Sequence, residues 1–366
     1  MTKKATRQPV RRTIPHSSPY LGRQEEKAAI RALRHRWLSE GPDNATLVRR
    51  MCGLLRVPAG IGTSSGTAAL HLALLALNTG AGDEVVLPSY VCPSLLYAIR
   101  YCNATPVLVD CGDINYNITA DSVRPALTRK TKALMVPHMF GLTADLSSLA
   151  ELGIPIIEDC AHTIGAFYKG QPVGSIGKLS IFSFYATKMI GAAGGGFLAS
   201  SDPGLIEKAK DLSSINGKRG SRLRFNYQLS NMQAAIASCQ LKRLGGFVRR
   251  RKRIAAYYNR ALRELQLSVP EYRSEFMDHV YYRYIIEIPT DADEFRRAMF
   301  KNGVHCGYGV LEPLHRSMGL TSKQFPNSDR AADHAVSIPI YPALEDEDVK
   351  KITSAIKCSL AERKSS

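Results

Sequence analysis

At 366 residues the chain exceeds the usual size of a single hydrophobic core, and its 45% share of apolar residues is that of an ordinary globular protein, so two domains are expected. No apolar run approaches the roughly 20 residues of a transmembrane helix, the opening MTKKATRQPVRRT lacks the apolar stretch of a secretory signal, and eight singly scattered cysteines without a CxxC pair argue against a metal site and for reduced thiols in a cytoplasmic protein. The formal charge of +17 falls mainly in two clusters without a recognisable binding module or interleaved aromatics, so nucleic acid is not expected as a partner.

Residues 1–16, with Lys3, Lys4, Arg7, Arg11 and Arg12 and no acid, read as a basic, disordered arm. From Ser17 to Arg56 the pattern is helical, clearest over Glu25 to Leu38 before Gly41-Pro42 breaks it. Gly62-Thr63-Ser64-Ser65-Gly66-Thr67 is a small-residue loop opening a helix at Thr67 to Leu77, and such a start offers N–H groups and hydroxyls to a phosphate. Short apolar strands follow at Asp83 to Pro88, Pro106 to Asp110 and Lys132 to Pro137, with a helix at Ser94 to Cys102 between the first two. A helix at Leu146 to Leu152 leads to a strand at Ile154 to Glu158, which runs into Asp159. This alternation predicts an α/β fold with a doubly wound, mainly parallel sheet. The two carboxylates then sit at its C-terminal edge, where ligands bind.

Ile181-Phe182-Ser183-Phe184-Tyr185 reads as a buried strand. Lys188 follows three residues later, then Gly191, Gly194, Gly195 and Gly196 before an apolar strand resumes at Phe197. A lysine on the turn between two buried strands is paired, deprotonated or covalently used, unless it snorkels to the surface. Asn231 to Leu244 should be helical and continue through Tyr257 to Leu265. The second basic cluster, Lys242, Arg243 and Arg249 to Arg253, reads as its solvated face. A strand at Tyr281 to Ile286 and helices at Asp293 to Lys301 and Glu347 to Ala361 describe a small α+β lobe. The division expected is 17–245 for a large domain and 246–366 for a small one. His315, after Glu312-Pro313-Leu314, is a candidate for facing a substrate, and His138 ends a strand near the predicted site.

A phosphate cradle, an acid for a ring nitrogen and a lysine for an imine are what pyridoxal 5′-phosphate requires. The segments GTSSGTAAL, EDCAH, SFYATK, FNYQLSNMQAA and SIPIYPAL, in this order, resemble the DegT/DnrJ/EryC1/StrS family of sugar aminotransferases from about Pro19 to about Ile356. The resemblance implies a fold-type I transferase in which Lys188 forms the Schiff base and acts as general acid/base. Asp159 would pair with the pyridine nitrogen, and His162 would lie near the cofactor's phenolic oxygen. Gly66, Thr67 and Ser183 match phosphate-binding positions. Asn226 matches an asparagine that reaches the phosphate of the neighbouring subunit, which implies a homodimer with composite sites.

Three positions depart from the family pattern. Gly194 replaces a glutamate after the lysine. The Pro-Ser-x-Thr-aromatic segment reads Pro88-Ser89-Tyr90-Val91-Cys92, which leaves Tyr90 as the candidate for stacking on the cofactor ring. Gln228 stands where the family has arginine. The resemblance implies transfer of an amino group, with glutamate as the expected donor, to a keto sugar, expected to be nucleotide-linked. A keto-cyclitol or other non-nucleotide acceptor, and a cofactor-binding regulator without turnover, are the alternatives.

Overall fold

Strands rich in Val, Ile and Leu at every position, not at alternate ones, must be covered on both faces. The computed structural model describes residues 13–216, 219–267, 276–289 and 291–361; the basic residues 1–12 and residues 217–218 of the glycine-rich stretch lie outside them. The strands are β1 (Ala59–Thr63), β2 (Glu84–Pro88), β3 (Thr105–Val109), β4 (Thr131–Pro137), β5 (Ile156–Asp159), the small hairpin β6 (Phe167–Tyr168) and β7 (Gln171–Pro172), β8 (Leu179–Ser183), β9 (Gly196–Ser200), β10 (Tyr284–Glu287), β11 (Gly307–Tyr308) and β12 (Ala335–Ile338).

Seven of them form one sheet in the order β1-β9-β8-β5-β4-β2-β3. The pairs from β3 to β8 are parallel, and β9 runs antiparallel to both β8 and β1. Successive residues go to opposite sides. Val85 and Leu87 join one core and Val86 the other; Ala133 and Met135 oppose Leu134 and Val136. β1 is not foreseen from sequence, because Gly60 and Gly62 are poor strand residues. The connection from β8 to β9 carries no crossover helix, so the two strands pair antiparallel. Tyr185, expected inside the strand, lies beyond its end at Ser183 and is 59% exposed.

A second core gathers β10, β12 and β11, the helices Ala292–Lys301 and Asp346–Ala361, and the far end of one long helix, Asn231–Arg263. The expected boundary at 245/246 falls inside that continuous helix. Arg251, expected on its solvated face, is 3% exposed: its guanidinium donates to the carbonyls of Tyr281, Tyr282 and Ile340. It belongs to the inward stripe of Phe247, Ile254, Ala255 and Tyr258, at helical spacing. Its neighbours Arg249, Lys252 and Arg253 are exposed, and Arg250 and Lys252 meet Asp346 and Asp278.

The expected basic arm also ends earlier. Ile14 is buried in the second core, donating its N–H to Gly303 O at 3.0 Å and accepting from His305 N–H at 2.9 Å. One apolar residue anchors the segment, and the basic composition around it conceals that. No helix among the described residues is long and apolar enough to cross a membrane.

Candidate active site

The C-terminal ends of β4, β5 and β8, the start of the helix Gly66–Ala76 and the turn between β8 and β9 enclose a cavity of about 390 Å³. Six residues singled out from the sequence meet in its wall: Gly66, Thr67, Asp159, His162, Ser183 and Lys188. Ser65 caps the helix by accepting from the Ala68 N–H at 3.0 Å. Other N–H groups of that first turn have no acceptor within the helix. Lys188 is half-buried on a turn closed by its own N–H to Tyr185 O, at 2.9 Å. The chain turns back into β9 through Gly195, whose φ of +99° is in the region that favours glycine.

Glu158 and Asp159 are adjacent on β5 and point to opposite faces, so their chemistry differs. Glu158 accepts from the N–H groups of Gly174, Ile176 and Gly177 and faces the His138 ring at 3.2 Å. Burial opposes its charge, but the bonds from His138, Gly177 and Gly174 prevail and hold its carboxyl below the usual range. Asp159 accepts one such bond, from Ala161 N–H at 3.0 Å. Burial there wins over that bond and over the fields of Lys188 and His138, and raises its carboxyl. Glu158 is structural; Asp159 is a buried acid short of a cationic donor. His138, Glu158 and Cys160 bring potential ligand atoms within 4.8 Å of one another. The Glu158 oxygens are already committed to peptide N–H groups and the His138 Nδ1 to the Ala144 N–H.

Among the wall residues that the sequence did not point to are Tyr282 and Arg283. They precede β10, in a run that reads simply as a strand; the arginine inside an aromatic, β-branched run was the available signal. The Tyr282 ring stacks on His162, with centroids 4.2 Å apart, and lies 4.9 Å from Lys188 Nζ. Burial, then the charges of Lys188 and Arg283, keep His162 well below the usual imidazole range and therefore neutral.

Two expected site residues, Tyr90 and His315, lie elsewhere. Tyr90 is fully buried among Tyr116 and Phe140, donates to Ala331 O and accepts from Val310 N–H. Val91 and Cys92 face the cavity in its place, because the chain after β2 turns Tyr90 into the core. His315 is fully buried too, between Ser89 Oγ at 2.7 Å and Asp329 Oδ1 at 3.1 Å and stacked on Phe325, so it ties the turn after β2 to the helix Pro326–His334. Asn226 is exposed, does not line the cavity of its own chain and makes no side-chain hydrogen bond to a described residue.

Residues 19–357 match the model of the DegT/DnrJ/EryC1/StrS aminotransferase family. This chain belongs to that family. It is 33% identical over 331 residues, covering 87% of this chain and 89% of the relative, to a UDP-N-acetyl-3-dehydro-alpha-D-glucosamine 3-aminotransferase of Acidithiobacillus ferrooxidans. Among solved structures it is similar to the aminotransferase TlmJ of Streptoalloteichus hindustanus, at 31% identity and a TM-score of 0.91 over 96% of this chain and all of that one. It also resembles the pyridoxal-phosphate form of the sugar aminotransferase Spr1654 of Streptococcus pneumoniae, at 25% identity and a TM-score of 0.90 over 96% and 99%.

The DegT/DnrJ/EryC1/StrS chain described here is thus a pyridoxal phosphate-dependent aminotransferase, and its cavity fits that cofactor. A buried carboxylate with one hydrogen bond suits a protonated ring nitrogen. A capped helix start with Thr67 and Ser183 beside it suits a phosphate, and a half-buried lysine whose side-chain amine makes no hydrogen bond to a described residue suits an imine.

Proposed function

We propose that the protein moves an amino group from L-glutamate to a keto sugar carried on a nucleotide. The observation behind this reading is the meeting of Lys188, Asp159, His162 and Ser183 in one cavity, supported by the 33% identity to a relative named for a UDP-sugar.

When bound, pyridoxal phosphate supplies the aldehyde that takes up the amino group and the ring that stores an electron pair. Asp159 would hold the proton on its ring nitrogen, at the carboxylate that burial has left short of a donor. Lys188 Nζ would take the proton from the donor's α-carbon and return it to the reacting carbon of the cofactor. His162, neutral and stacked on Tyr282, would donate or accept a hydrogen bond at the cofactor's rim without adding charge. The helix start at Gly66 and Thr67 with Ser183 would anchor the phosphate. Asn226 would complete that anchor in a second copy, making the working form a cytoplasmic homodimer with composite sites.

Transfer of labelled nitrogen from L-glutamate to a panel of nucleotide-linked keto sugars tests this function. Lys188→Ala should abolish transfer, and borohydride should fix the cofactor to the wild-type chain at Lys188 alone. Absence of transfer from the wild type to every acceptor would reject the reading.

A further inference from the structure

Arg283 lines the cavity beside Lys188, and no acid among the described residues pairs with it. Among the described residues its side chain has one hydrogen-bonding partner, the His16 ring, with Nη1 2.9 Å from Nε2. His16 is itself fixed. Its Nε2 is 2.8 Å from Ser337 Oγ, and its ring fills the space beside Gly307, where a Cβ would come within 2.5 Å of it. The backbone pairing of Ile14 with Gly303 and His305 holds the segment two residues upstream. Burial, then the charges of Arg283 and His305, lower the His16 pKa to about 3, so the ring is neutral. A neutral ring orients a guanidinium without cancelling its charge. A partly desolvated, unneutralised guanidinium in a substrate cavity is an anion site.

The anion is a carboxylate by position. Arg283 Cζ and Lys188 Nζ flank the same Tyr282 ring, at 5.4 Å and 4.9 Å from its centroid. The amino donor carries its α-carboxylate on the very carbon whose proton Lys188 handles, and a guanidinium fork matches two carboxylate oxygens. Gln228, which the resemblance sets at an arginine position, is engaged with Glu40 at 2.9 Å. We propose that Arg283 binds a carboxylate of the amino-acid donor, with His16 as its positioning residue. The inference rests on the proposed amino transfer.

The test uses holoenzyme and separates the donor from the acceptor. The donor Kd is read from the change in cofactor absorbance on adding L-glutamate, and the acceptor KM from turnover at saturating donor. Arg283→Gln should raise the donor Kd about 10- to 100-fold, the range for bonds to a charged group, and leave the acceptor KM unchanged. His16→Ala should raise the donor Kd by a smaller factor, and His16→Gln, which keeps an acceptor, should restore it. An equal penalty with L-glutamine would identify the α-carboxylate; a penalty with L-glutamate alone would identify the side-chain carboxylate. A loss confined to the acceptor KM would overturn the proposal in favour of an acceptor phosphate, and unchanged constants would overturn it outright. If Arg283→Gln does not fold, Arg283→Lys and His16→Ala decide by the same constants. Failure of the wild type to take nitrogen from any amino acid would sink the amino-transfer function, which is a different result from an unaffected Arg283 variant.

Discussion

The imidazole of His162 and the phenol of Tyr282 stack at 4.2 Å with 20° between their planes, and the cations of Lys188 and Arg283 sit against the phenol. One electrostatic environment therefore acts on two rings in the same direction. It keeps the imidazole from gaining a proton and helps the phenol to lose one.

The first prediction concerns that phenol. Burial opposes ionisation of Tyr282, but Lys188, Arg283, Thr187 and Arg251 outweigh it and bring its pKa from an ordinary 10 down to about 8. Between these values the folded apoprotein has released a proton that the unfolded chain keeps. The stability so contributed is complete above pH 10 and is lost as the pH falls through 8. Urea midpoints of the apoprotein should rise across this window more steeply in wild type than in Tyr282→Phe. Equal slopes would show that the phenol does not ionise there.

Asp159 has the opposite sign. Its folded carboxyl lies above the unfolded value, so its contribution is present below an unfolded pKa of about 3.9 and disappears as the pH rises through the folded one. Above that folded value the apoprotein carries a buried charge with one hydrogen bond, and there Asp159→Asn should raise its melting midpoint. The same change should slow amino transfer by roughly 10²- to 10³-fold, as loss of a charge-stabilising contact does. A less stable apo variant would show that the carboxylate helps to hold the fold.

Truncation separates the basic tail from the strap behind it. Removal of residues 1–12 should leave turnover nearly intact. Removal of residues 1–16 takes away the buried Ile14 and the His16 contact, and should lower stability by about 2–4 kcal/mol for the isoleucine alone. Equal behaviour of the two forms in thermal melts would contradict the anchoring.

A fourth expectation concerns the dimer. Asn226→Ala and Lys188→Ala, each inactive or weak alone, should recover activity towards about a quarter of wild type when mixed under subunit exchange, since half of the dimers would carry one intact site. No recovery despite demonstrated exchange would place Asn226 in its own protomer.

The sheet was legible because Val85 to Leu87, Ala133 to Val136 and Ile156 to Ile157 are unbroken apolar runs, which only a sheet buried on both faces requires. The site residues that sequence located are those whose chemistry contradicts their surroundings: an acid at a strand end and a lysine among glycines. Tyr90 failed that test silently. An aromatic after a strand fits a ring-stacking role and a core role equally, and only the turn after Pro88 decides. Arg251 was hidden by its neighbours, although its spacing from Phe247 and Ile254 matches the inward stripe. His16 could not be read at all, because its meaning depends on Arg283, which is remote in sequence.

The helix Asn231–Arg263 spans 33 residues, about 50 Å at the usual rise. Near its start, Gln233 reaches Gly194 in the cavity wall; towards its end, Arg251 grips the backbone at Tyr281 and Tyr282 and Tyr258 enters the second core. A chimaera that exchanged the C-terminal lobe with a relative's at residue 245 would join two half-rods from different parents, each shaped to a different wall. Splices placed before Ser230 or after Arg263 keep the rod whole, so wall and lobe are inherited as one unit or not at all.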